Sequence, residues 1–232
     1  DYEHYVDDSS FTLAGGPATL LSGGDFTYRE AHAASGDVHF QRWLTADLEA
    51  GVDTPTMDLT FGGSTNASNP TTVFFDVDPV ARVAVLVTSW VEVGTTVNGL
   101  FWIDLSSGSP QVVEATSLNG WRSAGVRVRG DRIVWAETME SYATKLHFLQ
   151  RGSGADQSLE LADSISRLLA FDGATAYYAV QNGLGAVTNQ PGAPVVSLDL
   201  PMLGTPSALT ATPTALVATS AGQLLTLSPV CH

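Results

Sequence analysis

Between Phe26 and Leu44 lie two alternating runs able to form a hairpin, and they carry the best-placed chemical groups in the chain. With Ala34-Ser35-Gly36-Asp37 as the turn, Tyr28 falls opposite Trp43, Glu30 opposite Gln41 and His32 opposite His39. Side chains alternate along a strand, so this register puts all six on one face. Two aromatic rings beside Glu30 and Gln41 suit a sugar or another polar small molecule, the rings packing on its apolar side while the carboxylate and amide take its hydroxyls. His32 and His39, with Glu30 nearby, are ligand types that zinc accepts. Without a ligand the same face is a polar outer surface with aromatic cross-strand packing. The register also sets Arg29 against Arg42, a like-charge pair that works against it.

A second group is cationic. Arg122, Arg127, Arg129 and Arg132 are four of the ten basic residues, and Arg127 and Arg129 share a strand face. Guanidiniums so placed can bind an anion bidentately, or pair with surplus carboxylates. The acidic spots are Asp7-Asp8, Asp47 with Glu49, and Asp76 with Asp78. Asp76 and Asp78 offer two carboxylates on alternate residues, too few for a calcium loop. Cys231 is the single cysteine, so an internal disulfide is impossible and the thiol is a candidate for an interchain link. Ser228-Pro229-Val230-Cys231-His232 resembles a c-type haem attachment sequence whose first cysteine is replaced. Asn66-Ala67-Ser68 is an N-glycosylation triplet and argues for a surface loop. No Gly-x-Ser-x-Gly elbow, His-Glu-x-x-His pair or phosphate-binding loop is present.

The elements that must position these groups are strands. Val126-Arg127-Val128-Arg129, then Gly130-Asp131, then Arg132-Ile133-Val134-Trp135 reads as a hairpin with a two-residue type II′ turn, the glycine supplying the positive φ. The same strand-turn-strand sentence recurs at Gly23-Gly24, Asp78-Pro79, Asp172-Gly173 and Pro213-Thr214, a mean spacing of about 47 residues. A third run follows each hairpin, and a fourth follows the first four. Trp90, Trp102, Trp121 and Trp135 in the second and third repeats are expected to fill core.

This period and content resemble the β-propeller superfamily, with no signature of a particular family. The resemblance implies an all-β, five-bladed propeller of four-stranded antiparallel blades at residues 18–64, 70–117, 123–163, 166–202 and 206–228. Residues 1–10 are an acidic lead-in to a single domain spanning 11–232, in which Phe11 to Ala14 supplies the strand that closes the last blade. Five-bladed propellers that cleave glycosidic bonds need two separated mouth carboxylates; here only Asp76 and Asp78 fall on an innermost strand, both in one blade.

Composition bounds the function. The chain is 44% hydrophobic and 15% charged, with 22 Gly and 11 Pro, as many packed strands and turns require. Its net charge of −14, with Lys145 the single lysine, excludes nucleic acid and anionic membrane surfaces as partners. No apolar run is long enough to span a membrane, and a start at Asp1 without Met points to a processed chain. The expectation is a non-catalytic binding or assembly module with a protein partner in an extracytoplasmic complex, whether periplasmic, secreted or cell-surface. A glycan-binding lectin using Tyr28, Glu30, Gln41 and Trp43 is the alternative, and a glycoside hydrolase a further one. No cofactor is expected beyond a possible metal ion at His32 and His39.

Overall fold

The computed structural model describes residues 4–6, 20–23, 25–32, 38–52, 54–61, 71–92, 95–106, 112–119, 122–138, 144–153, 156–161, 165–180, 183–190, 195–199, 208–211, 216–220 and 223–227. The chain forms two compact units, Asp1–Gly120 and Trp121–His232. In the first, β1 (His4–Val6), β2 (Leu20–Gly23), β3 (Phe26–His32), β4 (Val38–Leu44) and β5 (Met57–Phe61) make one sheet, with a single helical turn, α1 (Thr45–Glu49), after β4. β6 (Thr71–Asp78), β7 (Val83–Glu92), β8 (Thr95–Asp104) and β9 (Val112–Asn119) make the second.

The second unit holds three sheets. They comprise β10 (Arg122–Arg129), β11 (Arg132–Thr138), β12 (Thr144–Gln150) and β13 (Asp156–Leu161); then β14 (Arg167–Phe171), β15 (Thr175–Val180), β16 (Gly183–Thr188) and β17 (Val196–Asp199); then β18 (Ala208–Ala211), β19 (Leu216–Ser220) and β20 (Gln223–Leu227). Every strand pairs antiparallel with the next within its sheet, so the protein is all-β and built of consecutive meanders. No helix among the described residues is long and apolar enough to cross a membrane.

The turns follow their chemistry. Arg129 pairs with Arg132, leaving Gly130-Asp131 as a two-residue turn, and Gly130 carries φ 59°. At the equivalent turn of the second sheet, Asp78 Oδ1 accepts from Val80 N and Ala81 N at 3.0 Å each. In the fourth sheet Asp172 Oδ1 accepts from Ala174 N and Thr175 N at 2.8 and 2.7 Å. An aspartate that closes its own turn lowers the cost of reversing the chain.

One element departs from the sequence expectation, and one expectation falls outside the described residues. His4–Val6 lies within the stretch expected to be a lead-in, yet it pairs with β2, Tyr5 opposite Leu21. Phe11 to Ala14, expected to complete the fifth sheet, lies outside the described residues, and that sheet has three described strands.

Each unit has a core between successive sheets. In the first, Tyr28, Val38 and Phe40 meet Phe75, Val77 and Leu86. In the second, Val134, Leu146 and Phe148 meet Leu168, Phe171 and Tyr178. These residues recur with period two. The intervening ones, including Val85, Val87, Val126 and Val128, are also buried, which explains the near-continuous apolar runs. Trp102 and Trp135 are buried as expected; the side chains of Trp90 and Trp121 are outside the described residues.

Two contacts in the second unit lead to predictions. Gly185 faces Tyr178 across β15 and β16, and a Cβ at Gly185 would overlap Cε2 and Cζ of the tyrosine ring. Gly185→Ala should lower unfolding stability by about 3 kcal/mol in urea titrations, as overpacking does. In a Tyr178→Ala background the same change should cost under about 1 kcal/mol, the signature of coupled neighbours; an undiminished cost would show that the ring is not what fills the space. Thr144, 1% exposed, accepts from the buried main-chain N–H of Ile165 at 2.9 Å. Thr144→Val keeps the shape and strands that donor, so a loss of about 1–3 kcal/mol is expected, with Thr144→Ser close to wild type.

Candidate functional site

The β3–β4 hairpin settles in a register one residue away from the expected one. Thr27 faces Trp43, Tyr28 faces Arg42, Arg29 faces Gln41, Glu30 faces Phe40, Ala31 faces His39 and His32 faces Val38. Because alternation has period two, a single-residue slip sends former partners to opposite faces. Tyr28, 3% exposed, stacks on Phe40 at 6.0 Å in the core. Burial holds its phenol above the ordinary value, outweighing the nearby Arg42 and Arg82. Trp43, 1% exposed, lies on the other face with the Arg29 guanidinium 5.2 Å from its ring.

The expected cradle of Tyr28, Glu30, Gln41 and Trp43 is therefore divided by the sheet, and His32 and His39 are not cross-strand partners. The cause is visible in the arginines. The observed register separates Arg29 from Arg42, which rests over Phe26 at 4.7 Å and donates from Nε to Thr56 Oγ1. His39 Nδ1 and Gln41 Nε2 both donate to the Asp58 carboxylate at 2.8 Å. Gln41 Oε1 and Trp43 Nε1 are buried without a hydrogen-bond partner among the described residues. The side chains of Glu30 and His32 lie outside the described residues, and among those described no three His, Cys, Asp or Glu groups come together as a metal would need.

The arginines of the third sheet reach main-chain carbonyls. Arg127, 7% exposed, donates from Nε to Leu169 O at 2.9 Å and from Nη1 to Val126 O at 2.8 Å. Arg129 Nη1 donates to Val128 O and Arg132 Nη1 to Gly173 O. The first and last of these bonds tie the third sheet to the fourth. Asp76 and Asp78 are buried, Asp78 closing its turn. Cys231, the Asn66 triplet and the Arg122 side chain lie outside the described residues.

Sequence inspection missed a polar cluster on the third sheet. His147 stacks flat on Trp135 at 4.7 Å, and its Nε2 donates to the Glu137 carboxylate at 3.1 Å. The pairing follows from the register, Trp135 opposite His147, and the β11–β12 alternation was its only sequence signal.

A cleft between the third and fourth sheets was also missed. Its volume is about 320 Å³, and it is lined by Phe148 and Leu159 together with Gln157, Ser158, Thr188, Asn189 and Gln190. A smaller space of about 160 Å³ shares Phe148, Gln157 and Asn189 and extends to Arg132, Gln150 and Ser153. Phe148 packs against Phe171 at 6.2 Å, so an aromatic contact backs this part of the lining. Asn189 N donates to Ala174 O and Gln190 N to Thr188 O, which fixes the segment after β16. Gln150 is committed, donating to Asp131 Oδ2 at 2.9 Å. The side chains of Gln157, Asn189 and Gln190 make no hydrogen bond within the described residues. Each offers a carbonyl acceptor and two N–H donors at fixed neutral charge. The described lining holds no carboxylate, imidazole or thiol; its hydroxyls are those of Ser153, Ser158 and Thr188.

No protein-family profile and no curated protein matches the chain. Solved structures do. One of two prolyl endopeptidases studied for the role of inter-domain dynamics in catalysis and specificity shares 15% identity over 89% of this chain and 32% of its own, with a TM-score of 0.60. A Bacteroides uniformis protein assigned as a 6-phosphogluconolactonase shares 10% identity over 91% of this chain and 70% of its own, with a TM-score of 0.50. The computationally designed Ika4 protein shares 11% identity over 68% of this chain and 91% of its own, with a TM-score of 0.46. This chain thus spans about a third of the endopeptidase's length. The first two neighbours are propeller-like folds, and at these identities the likeness bears on the fold alone.

Proposed function

We propose that the chain is a non-catalytic binding module on a five-bladed propeller, and that it offers the cleft between its third and fourth sheets to a protein partner. Five consecutive antiparallel sheets and the propeller-like neighbours support the architecture. The observation that carries the function is the set of carboxamides on Gln157, Asn189 and Gln190, without a hydrogen-bond partner among the described residues, around one cleft that Phe148 and Leu159 also line. Pockets that recognise rather than react combine an apolar floor with a few convergent polar groups. Neutral amides can orient a ligand and can neither donate nor remove a proton near neutral pH.

Side-chain amide resonances in ¹⁵N-labelled protein test this, with a tryptic digest of casein as the probe and a maltooligosaccharide mixture as a parallel arm. The NH₂ signals of Gln157, Asn189 and Gln190 should move with the digest, those of Gln150 should stay, and the peptide masses should be unchanged after incubation. Cleaved peptides, or shifts that leave those three signals in place, would overturn the assignment.

A further inference from the structure

We infer that the cleft takes its ligand as an extended peptide added to the free edge of β13, an assignment that rests on the cleft being a binding site. Three consecutive residues of that strand, Gln157, Ser158 and Leu159, line the cleft. Side chains alone cannot produce this, since neighbours on a strand point to opposite faces. Gln157 pairs with Phe148 and Leu159 packs on the core between the sheets, whereas Ser158 pairs with His147, whose ring lies with Trp135 on the other face. Ser158 therefore meets the space through its main chain, and we take the space to follow the strand's edge, where its outward N–H and C=O groups are.

β13 pairs with β12 on one side and with no other described strand. Unpaired edges recruit extended segments, and proteins blunt them with charge. β13 reads Asp-Gln-Ser-Leu-Glu-Leu: acids stand at positions 156 and 160 and the stretch between them is neutral. Those three residues cover about 10 Å of edge at ~3.3 Å per residue.

The opposite wall supplies the second half of the recognition. Asn189 and Gln190 carry the same chemical group as a peptide bond, donor and acceptor together. A strand laid on β13 turns every second N–H and C=O outward, and these carboxamides are placed to meet them. Phe148 and Leu159 in the lining accept one apolar side chain from the added strand. The net charge of −14 favours a partner segment with basic residues flanking that apolar one; Glu160, 71% exposed beside the neutral stretch, already pairs with Lys145 at 3.5 Å and a basic partner would compete for it.

The test uses a phage-displayed library of random 12-residue peptides selected on the whole chain. The best peptide is synthesised and its affinity measured by fluorescence anisotropy. Methylating its main-chain nitrogens one at a time should weaken binding tenfold or more at alternate positions and leave the intervening ones within twofold. Asn189→Ala should weaken binding about fivefold with an unchanged circular dichroism spectrum. If methylation is tolerated at every position while Asn189→Ala still weakens binding, edge addition is overturned and the binding cleft stands. If no peptide is enriched, or the selected peptide binds Asn189→Ala and Gln157→Ala as it binds wild type, the peptide assignment is overturned. Maltooligosaccharides that shift the Asn189 amide signals unopposed by the peptide would replace it with a glycan.

Discussion

Where the first strands of the third and fourth sheets meet, there is no room for a side chain at Gly125. A Cβ there would stand 2.8 Å from the Cβ of Leu168, and the backbone φ of +135° is one that L residues rarely adopt. Glycine lets the two strands come this close, and Arg127 then reaches from β10 to Leu169 O on β14. Between these two sheets, β14 is the strand that lies against β10 and β11. The core of Leu146, Phe148, Leu168, Phe171 and Tyr178 fills the space beyond them. The cleft opens farther out still, among β12, β13 and the end of β16, where apolar filling gives way to amides. The tight end of the wedge thus determines that there is an open one.

Much of this fold is legible in the chain. Period-two alternation and turn chemistry place β5, β15 and β20 at the expected residues, and the Gly130-Asp131 turn has its expected positive φ. Other boundaries are obscured by bulges. β10 begins at Arg122 rather than Val126, because the pairing slips between Ser123 and Gly125 and then resumes. Ser-Ala-Gly resembles a loop when alternation is the only guide, yet a bulge continues the strand through it. β1 escapes for a different reason: three residues within an acidic segment give no measurable period, and only pairing with β2 makes them a strand.

The site was less legible, again for physical reasons. A hairpin whose loop can close with either of two registers leaves side-chain faces undecided, and a slip of one residue exchanges them all. The arginine conflict between positions 29 and 42 was the one local clue, and the observed pairing removes it. The cleft has no local signature whatever. Phe148, Gln157 to Leu159 and Thr188 to Gln190 are brought together only by the packing of two sheets. In sequence the amides look like ordinary polar ends of strands.

The contrast between framework and cleft explains why these amides can stay uncommitted. Thr144 and Arg127 are buried, and each holds a buried main-chain group that would otherwise be stranded at about 1–3 kcal/mol. The buried indole N–H of Trp135, without a partner among the described residues, is a local exception to that economy. Gln157 and Gln190 are exposed and Asn189 half-buried, so water satisfies them when nothing is bound. Their capacity therefore costs the fold little, and a ligand that supplies matching donors and acceptors replaces water without leaving a polar group unmet. Phe148 and Leu159 belong both to the core and to the cleft lining, whereas the amides add polar capacity that the packing of the sheets does not use.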